Sequence, residues 1–153
     1  MNEKLVIMGM SCVGKTEYAL TLKDHDYFCF DALFPWNDIE TLGLSTEEGL
    51  RHVRESCASP KFVLDGWHLS DPEGLLMPRD ATVCVVYAPY DQIISQYRVS
   101  VEDHDQHKPM FRKWYYDIKY PSFQKMVFIQ NEGHSFVETS LNEFQLFLSS
   151  EMK

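Results

Sequence analysis

Gly9-Met10-Ser11-Cys12-Val13-Gly14-Lys15-Thr16 is the stretch on which the reading of this chain turns. It fits G-x-x-x-x-G-K-[ST] at every position and follows directly on the apolar run Leu5-Val6-Ile7-Met8. In such a loop the glycines let the backbone fold into a nest whose N–H groups, with the start of the following helix, point at a polyphosphate. The backbone from Gly9 through Ser11, Cys12, Val13 and Gly14 is then the cradle. Lys15 reaches the β- and γ-phosphates, and the Thr16 hydroxyl ligates Mg²⁺. A chance match in a chain of this size is on the order of one in a hundred, before a strand in front and a helix behind are required.

Outward from that loop, 153 residues with 44% hydrophobic content suffice for one packed core, and residues 1–153 read as a single domain. Cys12, Cys29, Cys57 and Cys84 are spread along the chain with no CxxC pair, as expected of thiols in a reducing compartment. The first strand begins within about four residues of Met1, leaving no room for a signal peptide, and no apolar run approaches the ~18 residues of a membrane span. A cytoplasmic protein with no membrane partner is expected. The formal net charge of −9 argues against broad binding to nucleic acid. Residues 108–125 depart from that balance: five basic residues stand against Asp117 alone, a net +4, so the remainder carries −13. A basic island in an acidic chain points to one local anionic partner, a nucleotide or a short nucleic acid.

Strand and helix signals alternate, as in an α/β protein with a parallel sheet. Strands are expected at Lys4 to Met8, Tyr27 to Phe30, Lys61 to Leu64, Thr82 to Tyr87 and Met126 to Ile129. Helices are expected from Lys15 to Leu22, from the S-x-x-E box at Ser45 and Glu48, after Pro89, and over a final segment holding Phe136, Val137, Leu141, Phe144 and Phe147. Residues 32–44 show no clear period and read as a loop or short broken helix. The sum is a three-layer sandwich on a five-stranded parallel sheet, with ligand-binding loops at the carboxyl ends of the strands. Those ends are Gly9 to Thr16, Asp31, Asp65 to His68, Ala88 to Tyr90 and Gln130 to Gly133.

The phosphate loop between strand and helix, the acids ending strands two and three, and an Arg-bearing helix after strand four together resemble the small P-loop kinases of nucleosides, nucleotides, shikimate-type acceptors and polynucleotides. The order of elements covers almost the whole chain. The resemblance implies ATP and Mg²⁺ as donor and metal. It implies Asp31 as general base at the acceptor hydroxyl, although Asp31 also suits a helix or turn cap. Asp65 stands where a Walker B acid would, to hold a water on Mg²⁺ or bond the Thr16 hydroxyl, or else merely to shape the Asp65-Gly66 turn. With Lys15, the resemblance makes Arg98 and Arg112 the catalytic cations, on and just before a lid at 98–113 that closes on the phosphates. A solvated charged face is the alternative for both arginines, and Glu102, Asp103 and Asp105 would repel a triphosphate.

Trp67 at the mouth of the sheet is a candidate stacking surface for a flat acceptor, or a core aromatic. His68 reads as a hydrogen-bonding surface residue. His104 and His107 have H-x-x-H spacing but no third ligand for zinc. Trp114, Tyr115 and Tyr116 inside the basic island either stack on single-stranded nucleic acid or bury themselves on the sheet. Three functions follow. The first is phosphoryl transfer from ATP to a hydroxyl of a nucleoside, nucleotide or related small acceptor. The second is transfer to DNA, at a 5′ end or at a hydroxymethylated base as in phage-type hydroxymethyluracil kinases. The third is nucleotide sensing without turnover. An N-K-x-D motif is absent, which argues against a GTPase.

Overall fold

The computed structural model describes residues 3–68, 71, 74–96, 106–116 and 125–151. Its elements run β1 (Lys4–Met8), α1 (Lys15–Thr21), β2 (Asp26–Cys29), α2 (Phe30–Leu33), α3 (Trp36–Leu42), α4 (Thr46–Ser56), β3 (Phe62–Asp65), β4 (Thr82–Tyr87), α5 (Tyr90–Gln96), α6 (Lys108–Tyr115), β5 (Met126–Asn131), β6 (Phe136–Thr139) and α7 (Leu141–Glu151). The strands form one sheet in the order β2-β3-β1-β4-β5-β6. The central strands read as unbroken apolar runs because helices cover both faces: every residue of β3 and β4 and all of β1 beyond Lys4 is buried. β2 to β5 pair in parallel around β1, and the register sets Ile7 beside Asp65 and Met8 beside Val85.

The α/β architecture and the five parallel strands agree with expectation, and the sheet gains a sixth strand that was not expected. β6 pairs antiparallel with β5, Gln130 opposite Val137 and Asn131 opposite Phe136. Phe136 and Val137 therefore belong to a strand and not to the final helix. The turn between the two strands is fastened where the Glu132 N–H donates to the Ser135 carbonyl at 2.9 Å and the Gly133 N–H donates to Asn131 Oδ1 at 2.9 Å. α7 opens one residue past β6 on a capping box: the Glu143 N–H donates to Ser140 Oγ at 3.1 Å, and the Ser140 N–H donates to Glu143 Oε1 at 3.2 Å. The box expected at Ser45 and Glu48 starts α4 in the same way, with the Glu48 N–H donating to Ser45 Oγ at 3.1 Å.

A second difference concerns the segment after β2. The strand ends at Cys29, so Phe30 and Asp31 already lie in the first turn of α2, and the stretch expected to be irregular holds α2 and α3. What gives these short helices a fixed place is a ring cluster. Phe30 stacks on Phe34 with centroids 5.2 Å apart, and Phe34 meets Trp36 at 4.4 Å. α4 approaches that cluster at Gly49, where an added Cβ would lie 2.8 Å from Phe34 Cε2 and 3.4 Å from Ile39 Cδ1. Gly to Ala inside a helix ordinarily gains about 1 kcal/mol from propensity. At Gly49 the buried Phe34 ring has no room to withdraw, so Gly49→Ala is expected to lower the unfolding free energy by about 1 kcal/mol or more in urea titration.

Candidate active site

β1 delivers the chain into the loop, and two glycines make its path sterically available. Gly9 has φ 154°, with an added Cβ only 2.5 Å from the Val86 carbonyl oxygen. Gly14 has φ 103°, with an added Cβ 2.7 Å from Asn131 Nδ2. Cys12 also takes a left-handed conformation, φ 67°, which is costly for a residue with a Cβ and marks the loop as held from outside. The external ties come from β5 and α6. Asn131 at the end of β5 donates from Nδ2 to the Val13 carbonyl at 2.9 Å. Tyr115 on α6 donates its hydroxyl to the Val86 carbonyl at 2.7 Å and accepts the Met10 N–H at 3.0 Å.

At the start of α1, Gly14 is the N-cap and offers no side chain to the first-turn N–H groups. Thr16 Oγ1 donates to Asp65 Oδ2 at 2.6 Å, joining the loop to the end of β3. Of the three readings of Asp65, a water on Mg²⁺, a bond to Thr16 or the shape of the turn before Gly66, the hydrogen bond to Thr16 is observed. The same carboxylate oxygen accepts a second hydroxyl, that of Tyr27 from β2, also at 2.6 Å. Burial and this bond to Asp65 raise the Tyr27 hydroxyl well above its ordinary value, so it remains a donor. A hydroxyl and a buried carboxylate side by side are hard oxygen donors, the chemistry that suits Mg²⁺. Thr16 and Asp65 are therefore the residues that would hold it.

Lys15 stands between two clefts. One, of about 460 Å³, is lined by the loop from Cys12 to Glu17 together with Gln92, Gln96 and Asn131. The other, of about 740 Å³, is lined by Lys15, Thr16, Asp31, Trp36 and Asp65 together with Met110 and Lys113 of α6. Burial pushes the Lys15 ammonium below its ordinary value, and the carboxylates of Asp65 and Asp31 work in the opposite direction. Its Nζ lies 5.2 Å from the centroid of the Trp114 ring. His68 on the second cleft is lowered by burial and by the Lys113 ammonium.

The candidates thus divide. The loop residues Gly9 to Thr16, Asp31 and Asp65 come together around one lysine. Arg112 is exposed on α6 and lines neither cleft, while its neighbour Lys113 lines the larger one. Arg98, the acids Glu102, Asp103 and Asp105, and His104 lie outside the described residues, as does the lid segment up to 105. Trp67 is 3% exposed and donates its indole N–H to Asp71 Oδ2 at 3.0 Å, so the core alternative holds for it. Trp114 and Tyr115 are likewise buried. Tyr115 was singled out for stacking or burial but not for its tie to the loop, and Tyr27, Asn131 and Trp36 were not singled out in the sequence. Only Asn131 had a signal, its place at the carboxyl end of a parallel strand.

No protein-family model matches the chain, and none of the curated proteins matches it in sequence. Solved structures do match in shape over 99% of this chain. They include a gluconokinase from Sinorhizobium meliloti (16% identity, 91% of that chain, TM-score 0.52) and a sugar kinase from a Janibacter species (13% identity, 95% of that chain, TM-score 0.56). A Thermus thermophilus protein matches with 14% identity over 97% of its length, TM-score 0.51. At such identities the likeness establishes the fold, that of small P-loop kinase structures. It does not establish the reaction.

Two outcomes follow from this geometry. Tyr27→Phe leaves Thr16 as the only hydroxyl on Asp65 Oδ2, and is expected to weaken Mg²⁺-dependent nucleotide binding by about tenfold, measured by calorimetric Mg²⁺ titration. Lys15→Met removes a cation whose folded value is depressed. Its burial costs stability at any pH below that shifted value, and the cost fades as pH rises towards 10.5. The variant should therefore melt at or above the wild-type temperature at pH 7, with the gap closing in alkali, while losing nucleotide affinity.

Proposed function

We propose that this chain is a kinase that moves the γ-phosphoryl group of ATP to a hydroxyl of a nucleoside, nucleotide or related small acceptor. The observation that carries the reading is the position of Lys15, which lines both clefts, with the phosphate loop on one side and Asp31 on the other. Phosphoryl transfer asks for positioning and charge neutralisation more than for covalent chemistry. In this reading the loop N–H groups and Lys15 hold the triphosphate at the boundary. Thr16 and Asp65 would hold Mg²⁺, which would supply neutralisation of the phosphate charge. Asp31 accepts the acceptor's hydroxyl proton as the new O–P bond forms, the bond from Pγ to the β-bridging oxygen breaks, and ADP carries away the electron pair.

The buried Trp114 and the α6 wall, with Lys113, would keep water from the transferring group. Arg112, and Arg98 outside the described residues, stay in the proposal as cations for the phosphates in the lid reading of 98–113. All four cysteines are free thiols, in keeping with a protein that draws on cytoplasmic ATP. The nucleic-acid reading of 108–125 gains nothing from the burial of Trp114 and Tyr115, and transfer to DNA is kept as an outcome of the test.

Incubation with γ-labelled ATP and Mg²⁺ against nucleosides, nucleoside monophosphates, sugars, and DNA bearing free 5′-hydroxyls or hydroxymethylated bases is expected to label a small acceptor. Label on DNA alone would replace the acceptor class, and stoichiometric ATP binding with no label anywhere would make the chain a sensor. Asp31→Asn should lower kcat by about 10²-fold or more with nucleotide binding retained. A rate within a few-fold of wild type would reduce Asp31 to a helix-turn residue.

A further inference from the structure

The larger cleft has a wall that phosphoryl transfer does not require. Trp36, the first residue of α3, is 45% exposed and lines this cleft beside Asp31. Its ring rests on Phe34 at 4.4 Å, and Phe34 in turn stacks on His68 with centroids 5.8 Å apart and planes 11° from parallel. The indole Nε1–H donates to the backbone carbonyl of Asp31 at 3.2 Å. One side of the ring is therefore backed by packed aromatics, its polar atom is tied to the candidate base, and the rest of its surface is open. In the same cleft, Met110 of α6 is 46% exposed, next to Pro109 in the chain.

What sets Trp36 apart from a singly exposed surface residue is that it shares one cleft with Asp31 and a second exposed apolar side chain, Met110. A polyol acceptor needs hydrogen-bonding side chains around its whole length. A planar ring needs a flat, polarisable face and an adaptable apolar surface in the same cleft, which Trp36 and Met110 supply. We infer that Trp36 is the stacking platform for a planar ring on the acceptor, so that the substrate class is a hydroxyl compound of a heteroaromatic ring, not an open-chain sugar acid. The assignment rests on the kinase reading above and adds to it a specificity-determining residue that orients the acceptor through its tie to Asp31.

The test compares each nucleoside with its own free sugar. Thymidine, uridine and adenosine are assayed against deoxyribose, ribose and gluconate with labelled ATP, in wild type, Trp36→Leu and Trp36→Phe, with folding checked by circular dichroism. At least one nucleoside should exceed its sugar in kcat/KM by about a hundredfold. Trp36→Leu should cut that preference by about tenfold, mainly through KM, and Trp36→Phe should restore most of it. Label entering sugars or gluconate as readily as nucleosides overturns the inference and leaves the kinase reading standing. If no acceptor is labelled, the kinase reading falls, and stacking is then decided by binding alone. With a non-hydrolysable ATP analogue filling the donor site, nucleosides should bind Trp36→Leu about tenfold more weakly than wild type in calorimetric titration. Equal affinity in both, or no binding to either, overturns the platform.

Discussion

One oxygen of Asp65 holds the candidate site together. It receives the Thr16 and Tyr27 hydroxyls, each at 2.6 Å, from two different elements, and it lies at the buried end of β3. A carboxylate taken out of water must be hydrogen-bonded or it destabilises the fold, so the two donors are required by the acid as much as the acid is by them. The strand register makes the meeting unavoidable: Asp65 pairs with Ile7 on one side and Cys29 on the other. The start of α1, reached from β1 through the loop, and the strand β2 are thus brought to the same carboxylate.

The loop itself is tied from outside by a different set of groups. Asn131 from β5 and Tyr115 from α6 bond its backbone, and the Asn131 carbonyl is itself held by Gln92 Nε2 at 3.1 Å. Such ties permit the left-handed Cys12 and the close approach of Gly9 to β4, conformations that local sequence alone would not sustain. They also fix where Lys15 must stand. A lysine free to choose would point to water, whereas this one is partly buried, over Trp114 and near two carboxylates, at a cost in stability that a binding role explains.

The parallel core was legible because its physics is one-dimensional. Runs such as Val83 to Val86 and the loop pattern at 9–16 carry their meaning in adjacent residues, and the strand-end rule then picked Asp65 and the region of Asn131. What escaped depends on pairings between distant residues. Phe136 and Val137 fit a helical period as well as a short strand, and only the pairing of 136–139 with β5 separates them; the S-x-x-E box at Ser140 and Glu143 was the local cue to where the helix begins. Trp67 and Trp36 look equivalent as sequence, both aromatic and both next to a strand end or loop. Asp71 takes the indole N–H of the first into the core, and the Asp31 carbonyl holds the second in the open cleft. No spacing rule encodes that difference, since it arises from which acceptor each N–H meets after folding.

The same distinction bears on what shape similarity can say about the acceptor. The donor half of the site is built from backbone geometry and strand order, which is why the likeness to solved structures extends over 99% of this chain at 13% to 16% identity. The other cleft is lined in large part by side chains on α2, α3 and α6, short helices with aromatic packing. Two chains can share the first half and differ completely in the second, because exchanging an exposed tryptophan for a polar residue changes the acceptor without disturbing any strand pairing. The names of sugar-handling neighbours therefore carry less weight on the acceptor than one indole held 3.2 Å from the backbone of Asp31.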